Sequence, residues 1–282
     1  MEGADFQPRV DELKQPNYNN MRRKLLLTLA IAVAVVVATL EVQAWGGAGH
    51  NAIAYIAEQH LTPEAREKCY HYLKHSPAYY ATWQDQWRFT DPYKEIHYWH
   101  TSKVDAQNNP LENGGRAAYI QIERIRKEMK DWRSLDDSTI VVNLKLLIHM
   151  VGDMHCPSHT SYPDQPAYKG YNLYRSGKKT KFHTFWDASP AYLHKGWSCE
   201  DFHRNLDKMK PKKIAQIVQG TAEDWERENG AALREIYTLI PHEAEYTTLP
   251  ARNRKRVVEI CEQQMLHSAY RLAYVLNEIF KE

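Results

Sequence analysis

The sequence predicts an all-α protein, a single mostly helical domain, and three observations carry that prediction. Few stretches alternate apolar and polar residues with a period of two. Several carry the 3.6-residue period of a buried helical face, and prolines and capping residues punctuate them at plausible helix starts. The composition agrees: 43% hydrophobic and 26% charged residues over a chain of 282 is too apolar for a disordered polymer. A formal net charge of +2 gives no general basic field, so an anionic substrate needs a local site.

Taken in order, residues 1–20 are polar and precede Met21, as an upstream extension would. Arg22, Arg23 and Lys24 lead into an apolar run from Leu25 to Leu40, and Val42-Gln43-Ala44 closes it with small residues at −3 and −1. That is the layout of a signal peptide over 21–44, cut after Ala44. The apolar run falls short of the roughly 20 residues needed to span a bilayer. The expectation is therefore a secreted or periplasmic protein with no stable membrane association after cleavage, its one domain covering 45–282 and starting at Trp45.

Within that domain, 50–60 reads as a helix with Ile53, Ala54 and Ala57 on one face. Thr62-Pro63-Glu64 caps a helix running to about His75. Asp137 or Ser138 caps a long apolar helix through IVVNLKLLIHMVGDMH. Helices over 211–219, 221–240 and 251–281 complete the set, with the basic run Arg252–Arg256 as the solvated start of the last. Segments 101–116 and 160–180, rich in Pro, Gly, Asn and Tyr, read as loops. Four cysteines, at 69, 156, 199 and 261, could pair in three ways.

Histidine carries the functional signal. There are 14, and several fall at coherent spacings with aspartate. His149 and Asp153 stand at i and i+4, on one helical face, and His183 and Asp187 repeat the pairing. His159 lies between the two pairs, beyond Pro157, which ends the helix. Imidazole with carboxylate is the ligand set of zinc and other borderline divalent ions. In WGGAGH, a free Trp45 amine and its carbonyl could chelate an ion together with His50. Asp85 in WQDQWR and His100 in YWH add a carboxylate and an imidazole, with His97 as the rival to His100.

The motifs WGxxGH, WxDxxR, WH, HxxGDxHxPxH and HxxWD occur here in one order, and together the chain from Trp45 to about Leu193 resembles the zinc-dependent single-strand-specific nucleases and 3′-nucleotidases, the S-one/P-one family. The resemblance implies an all-helical protein with three zinc ions in a cleft. Asp85, His100, His149 and Asp153 would hold one. His159, His183 and Asp187 would hold the second. Trp45, through its α-amino and carbonyl groups, and His50 would hold the third, with Asp153 bridging it to the first. The 15-residue interval from Asp85 favours His100 over His97.

The implied catalytic residues are Arg88, which would neutralise charge on the reacting phosphoryl group, with Asp85 and Asp153. Single-stranded nucleic acid and 3′-nucleotides are the implied substrates, nucleoside 5′-phosphates the products; protein partners stay open. Three divalent ions against three carboxylates would turn a near-neutral protein into one with a cationic pocket.

For substrate binding the resemblance points to Asn172 and Tyr171, although Thr101 stands where the family carries a base-stacking aromatic and Gly170-Tyr171-Asn172 lacks one glycine of the pattern. Tyr98, Tyr171 or Phe182 could take the stacking role. Cys156 replaces the usual residue inside GDxHxPxH; a thiol beside zinc could ligate an ion, but a buried inert thiol is its expected state. The rival functions are a zinc phospholipase C-like headgroup phosphodiesterase and a non-catalytic zinc-binding relative.

Overall fold

A computed structural model describes residues 45–281; the upstream extension and the signal segment lie outside the described residues. No helix among the described residues is long and apolar enough to cross a membrane.

Helix α1 (Gly46–Gln59) starts four residues earlier than its sequence periodicity suggests, because the Trp45 carbonyl already accepts a hydrogen bond from Gly49 N at 3.0 Å. Gly49 is needed there: a Cβ would stand 2.8 Å from Trp45 Cβ and 3.0 Å from Pro190 Cγ. Helix α2 (Pro63–Leu73) begins as expected, with proline at the first position and Thr62 Oγ1 accepting from Ala65 N. Short helix α3 (Trp83–Trp87) follows, then strands β1 (Ser102–Val104) and β2 (Pro110–Leu111) and helix α4 (Ala118–Glu128).

Helix α5 (Asp137–Met154) is the long apolar helix of the sequence reading, but its cap is Asp136, not Asp137 or Ser138. The Asp136 carboxylate accepts from Thr139 N at 3.0 Å, while Asp137 sits in the first turn and favours the helix dipole. Strands β3 (Thr160–Ser161), β4 (Asn172–Arg175) and β5 (Lys178–Lys181) come next, then α6 (Phe182–Asp187), α7 (Ser189–Leu193), α8 (Cys199–Leu206), α9 (Pro211–Ile217), α10 (Ala222–Leu239) and α11 (Ala251–Ile279).

The segments 101–116 and 160–180 are thus not plain loops. Strand β1 pairs antiparallel with β2 and parallel with β3, and β4–β5 is a hairpin. Strands of two to four residues are too short to show a period, which is why composition alone read them as loops.

The core is built around α5 and α11. Ile140, Leu144, Leu147, Ile148 and Val151 of α5 are buried, and α11, which packs on both α1 and α5, buries Val257, Ile260, Met265, Leu272 and Val275. Each such side chain contributes about 1.5–3 kcal/mol of burial. The packing is what fixes the polar edge of α5 in place. The basic run at the start of α11 is held by neighbours: Arg254 donates to the Leu249 carbonyl and Arg256 to both oxygens of Glu235. The four cysteines are unpaired, and all but Cys199 are buried.

Candidate metal centre

Helix α5 delivers His149 and Asp153 from one face, one turn apart, into a fully buried cluster. Asp153 is its hub. His149 Nε2 lies 3.0 Å from Oδ2, His50 Nε2 of α1 lies 3.1 Å from Oδ1, and His159 Nδ1 lies 3.8 Å from Oδ1. His149 Nε2 is also 3.6 Å from Asp85 Oδ1, and Arg88 Nη1 is 3.0 Å from that same oxygen. The His50 and His149 rings stack with centroids 4.3 Å apart. Close contact of α1 with α5 requires Gly152, whose place leaves no room for a side chain beside His50.

A second group forms around Asp187 of α6. His159 Nε2 is 3.8 Å and His183 Nδ1 3.5 Å from its carboxylate, and the Nε2 atoms of the two histidines lie 2.8 Å apart. The Cys156 thiol joins it, donating toward Asp187 Oδ1 at 3.9 Å. His100 faces both groups: its ring lies 5.4 Å from that of His159, and its carbonyl accepts from His159 Nδ1–H at 2.8 Å. His97 instead packs on Phe89 and Tyr98.

Trp45 is wholly buried, its indole N–H donating to the Gly152 carbonyl at 2.8 Å, which brings its backbone beside Cys156. Tyr171 and Asn172 are placed differently. Tyr171 donates its hydroxyl to the Ile240 carbonyl and packs against Tyr168, Tyr237 and Phe182, while Asn172 Nδ2 donates to the Gly170 carbonyl.

The donor chemistry fits divalent metal. His149 and His159 each give their Nδ1–H to a backbone carbonyl, of Ala81 and His100, which turns both Nε2 lone pairs inward. Both oxygens of Asp85 and of Asp153, both ring nitrogens of His50 and Asp187 Oδ2 are buried without a well-directed hydrogen bond, a condition a bound cation removes.

The titration behaviour of the side chains alone points the same way. Burial, then the charges of Asp153 and Asp85, push Asp187 up to about 9. Burial alone would depress His149, but Asp153 and Asp85 outweigh it and raise it to about 9. Burial holds His50, His100 and His159 neutral, His100 at about 4. Burial would lift Asp153, yet His149 and His159 keep it well below the usual carboxylate range. Protons are thus balancing carboxylate charge where metal would.

Sequence reasoning passed over one feature, and read His155 correctly as structural or supporting. Phe89, beside Arg88 and 51% exposed, lies under its guanidinium at 5.2 Å and, with exposed Trp87 and Tyr98, makes an aromatic rim; a run of aromatics around WQDQWRF was the available signal. His155, which follows the ligand-bearing turn, is a structural residue, donating Nδ1–H to Val151 O and accepting from Arg271 at 2.9 Å.

A helical scaffold with two buried groups of histidine, aspartate and cysteine, each able to hold a metal ion, is the arrangement of a candidate metal centre, a kind that serves phosphate ester hydrolysis among other reactions. The S1/P1 Nuclease family model matches residues 45–281, and the chain belongs to that family, whose members are zinc enzymes and hydrolases acting on phosphodiester bonds. The match includes the C-terminal third, beyond the motifs that end near Leu193. Nuclease P1 of Penicillium citrinum is 26% identical over 273 residues, covering 83% of this chain and 97% of its own; Nuclease PA3 of Penicillium sp. matches to the same extent. Nuclease S1 of Aspergillus oryzae is 26% identical over 173 residues, 57% of this chain, and the match spans only 59% of that protein.

Proposed function

We propose that the protein is an exported zinc-dependent phosphodiesterase that cleaves single-stranded DNA and RNA to nucleoside 5′-phosphates and acts also as a 3′-nucleotidase. The observation that carries this reading is Asp153, fully buried with three imidazoles within 3.8 Å, next to an Asp85–Arg88 pair at the edge of the cluster.

Asp85, His100, His149 and Asp153 would hold one zinc, and His159, His183 and Asp187 a second. In a chain cut after Ala44, the Trp45 amine and carbonyl with His50 would hold a third that Asp153 shares. When bound, zinc lowers the pKa of coordinated water to about 7 and offsets phosphate charge.

The protein's own groups do the rest. Asp85 and the Phe89 ring hold Arg88, whose remaining N–H donors would meet phosphoryl oxygens as charge builds on them. The Nδ1–H bonds of His149 and His159 lock both rings in one tautomer and orientation. The His183 side chain is 44% exposed and marks the open side of the cluster. Phe89 and Tyr98, exposed and close to His97, are the rings against which unpaired bases would stack.

The test offers denatured DNA, RNA, 3′-AMP and phosphatidylcholine to the zinc-loaded protein. Hydrolysis of the nucleic acids to 5′-phosphates is expected, with Arg88→Ala about 100–1000-fold slower at unchanged zinc content. Hydrolysis of the lipid alone would establish the phospholipase reading instead. A loaded protein that cleaves nothing would be the non-catalytic relative.

A further inference from the structure

We infer that the Cys156 thiolate is a fourth ligand of the second metal group, which makes that site a cysteine, two histidines and an aspartate. The inference rests on the metal reading of that group and goes beyond the histidine and aspartate ligands given above.

The turn after α5 explains why a cysteine arrives here. Helix α5 ends at Met154, Cys156 N bonds back to the Asp153 carbonyl at 2.9 Å, and His159 N bonds to the Cys156 carbonyl at 2.9 Å. This tight reversal around Pro157 turns the side chains of 156 and 159 to the same side. Asn229 Nδ2 of α10 and Trp45 N–H contact the Cys156 backbone oxygen and the thiol, respectively, and keep the turn in place.

The sulfur is wholly buried, and its surroundings are polar. Ser158 Oγ lies 3.2 Å away and Asp187 Oδ1 3.9 Å away. Asp187 Oδ2, on the same carboxylate, is buried without a hydrogen-bond partner. A ligand atom from each of Cys156, His159 and Asp187 falls within 4.8 Å of the others.

Zinc takes sulfur at about 2.3 Å and nitrogen or oxygen at about 2.0–2.2 Å, so tetrahedral ligand atoms stand roughly 3.3–3.6 Å apart. The observed 3.9 Å from sulfur to Asp187 and 3.8 Å from His159 Nε2 to Asp187 lie within a few tenths of an ångström of that shell. His183 Nδ1, 3.5 Å from Asp187 but outside the group that Cys156, His159 and Asp187 form, must turn its half-exposed side chain inward to join it. On ion uptake the S–H bond breaks, a sulfur–metal bond forms and the proton leaves to solvent.

Two consequences follow. A thiolate tilts the site toward thiophilic borderline ions over magnesium or calcium. Four protein ligands would also complete the ordinary tetrahedral shell of an ion held there.

Zinc-edge X-ray absorption on the fully loaded wild-type protein reads the ligand directly. A sulfur shell at about 2.3 Å beside nitrogen and oxygen at about 2.0–2.1 Å is expected. Cys156→Ser should remove that shell and weaken one ion by about tenfold or more. Should that variant fail to fold, cobalt-loaded wild type serves alone, with a thiolate-to-cobalt charge-transfer band as the expected signal. A loaded protein with only nitrogen and oxygen neighbours, cobalt-loaded wild type without the band, or a sulfur shell that survives Cys156→Ser, overturns the inference and leaves the metal reading intact. A protein that binds no zinc overturns both.

Discussion

Gly152→Ala is the substitution that best separates helix preference from site geometry. Gly152 lies on α5 between His149 and Asp153, and in an ordinary helix interior the change to alanine gains about 1 kcal/mol. Here the new Cβ would stand 2.8 Å from His50 Nδ1 and 3.0 Å from Cε1. Ordinary contact is about 3.5 Å, so the ring must retreat by roughly 0.7 Å. It has nowhere to go, being fully buried and stacked at 4.3 Å on His149. Overpacking of this kind costs about 1–3 kcal/mol, which outweighs the propensity gain and leaves a net loss of about 1 kcal/mol. The same displacement exceeds the roughly 0.2 Å tolerance of a metal–ligand distance, so the ion held by His50 should bind about 10–100-fold more weakly. Urea unfolding with a chelator present isolates the packing cost, and zinc titration isolates the ligand shift. If the variant is about 1 kcal/mol more stable than wild type and binds zinc as tightly, the steric reasoning is wrong.

Without metal, the chain should be most stable near pH 6–7. His149, raised to about 9, contributes stability fully present below 6.5 and lost by pH 9. Asp187, also raised to about 9, loses its share across the wider rise from about 3.8 to 9, which below pH 6.5 the depressed histidines outweigh. His50, His100, His159 and His183 are depressed by burial, so unfolding takes up protons below their usual 6.5 and acid destabilises as well. Zinc should abolish the alkaline decline, because it binds the deprotonated ligands; melting temperatures that climb steadily to pH 9 in chelator would contradict this. Arg271→Leu removes a buried guanidinium that serves the Ile217 carbonyl, His155 and Glu228 and lies over Trp225, and should cost about 2–4 kcal/mol by thermal denaturation; a loss under about 1 kcal/mol counts against it. One residue added ahead of Trp45 converts the proposed amine ligand to an amide and should lower zinc content from about three to two per chain, with unchanged content as the refuting result.

The helices that carry the site were legible because their signals are local. Thr62-Pro63 states a helix start in two residues, and His149 and Asp153 state a shared face in five. The cap of α5 was missed by one residue because Asp136, Asp137 and Ser138 are all competent caps, and only the docking of the helix selects among them. Strand β3, two residues long, exists only because β1 lies beside it, so nothing within its own sequence announces it. The clustering histidines and aspartates were legible as a set, whereas their division into groups depends on how α1, α5 and α6 pack. The setting of Cys156 illustrates the limit. Its neighbours Ser158, Asp187 and the Trp45 backbone come from three parts of the chain, and a one-dimensional reading defaults to an inert thiol.

The seam between β1 and β3 has a thermodynamic side. Ser102 sits opposite Thr160 and Lys103 opposite Ser161, immediately after His100 and His159, and the His159 ring is tied to the His100 carbonyl. Two loops that carry the proposed ligands of different ions are stitched together. Whichever ion arrives first bears the entropy of fixing both loops, and the next meets a site already shaped. Metal uptake should therefore be positively cooperative, and partial stripping should give a mixture of full and bare molecules in place of evenly half-loaded ones.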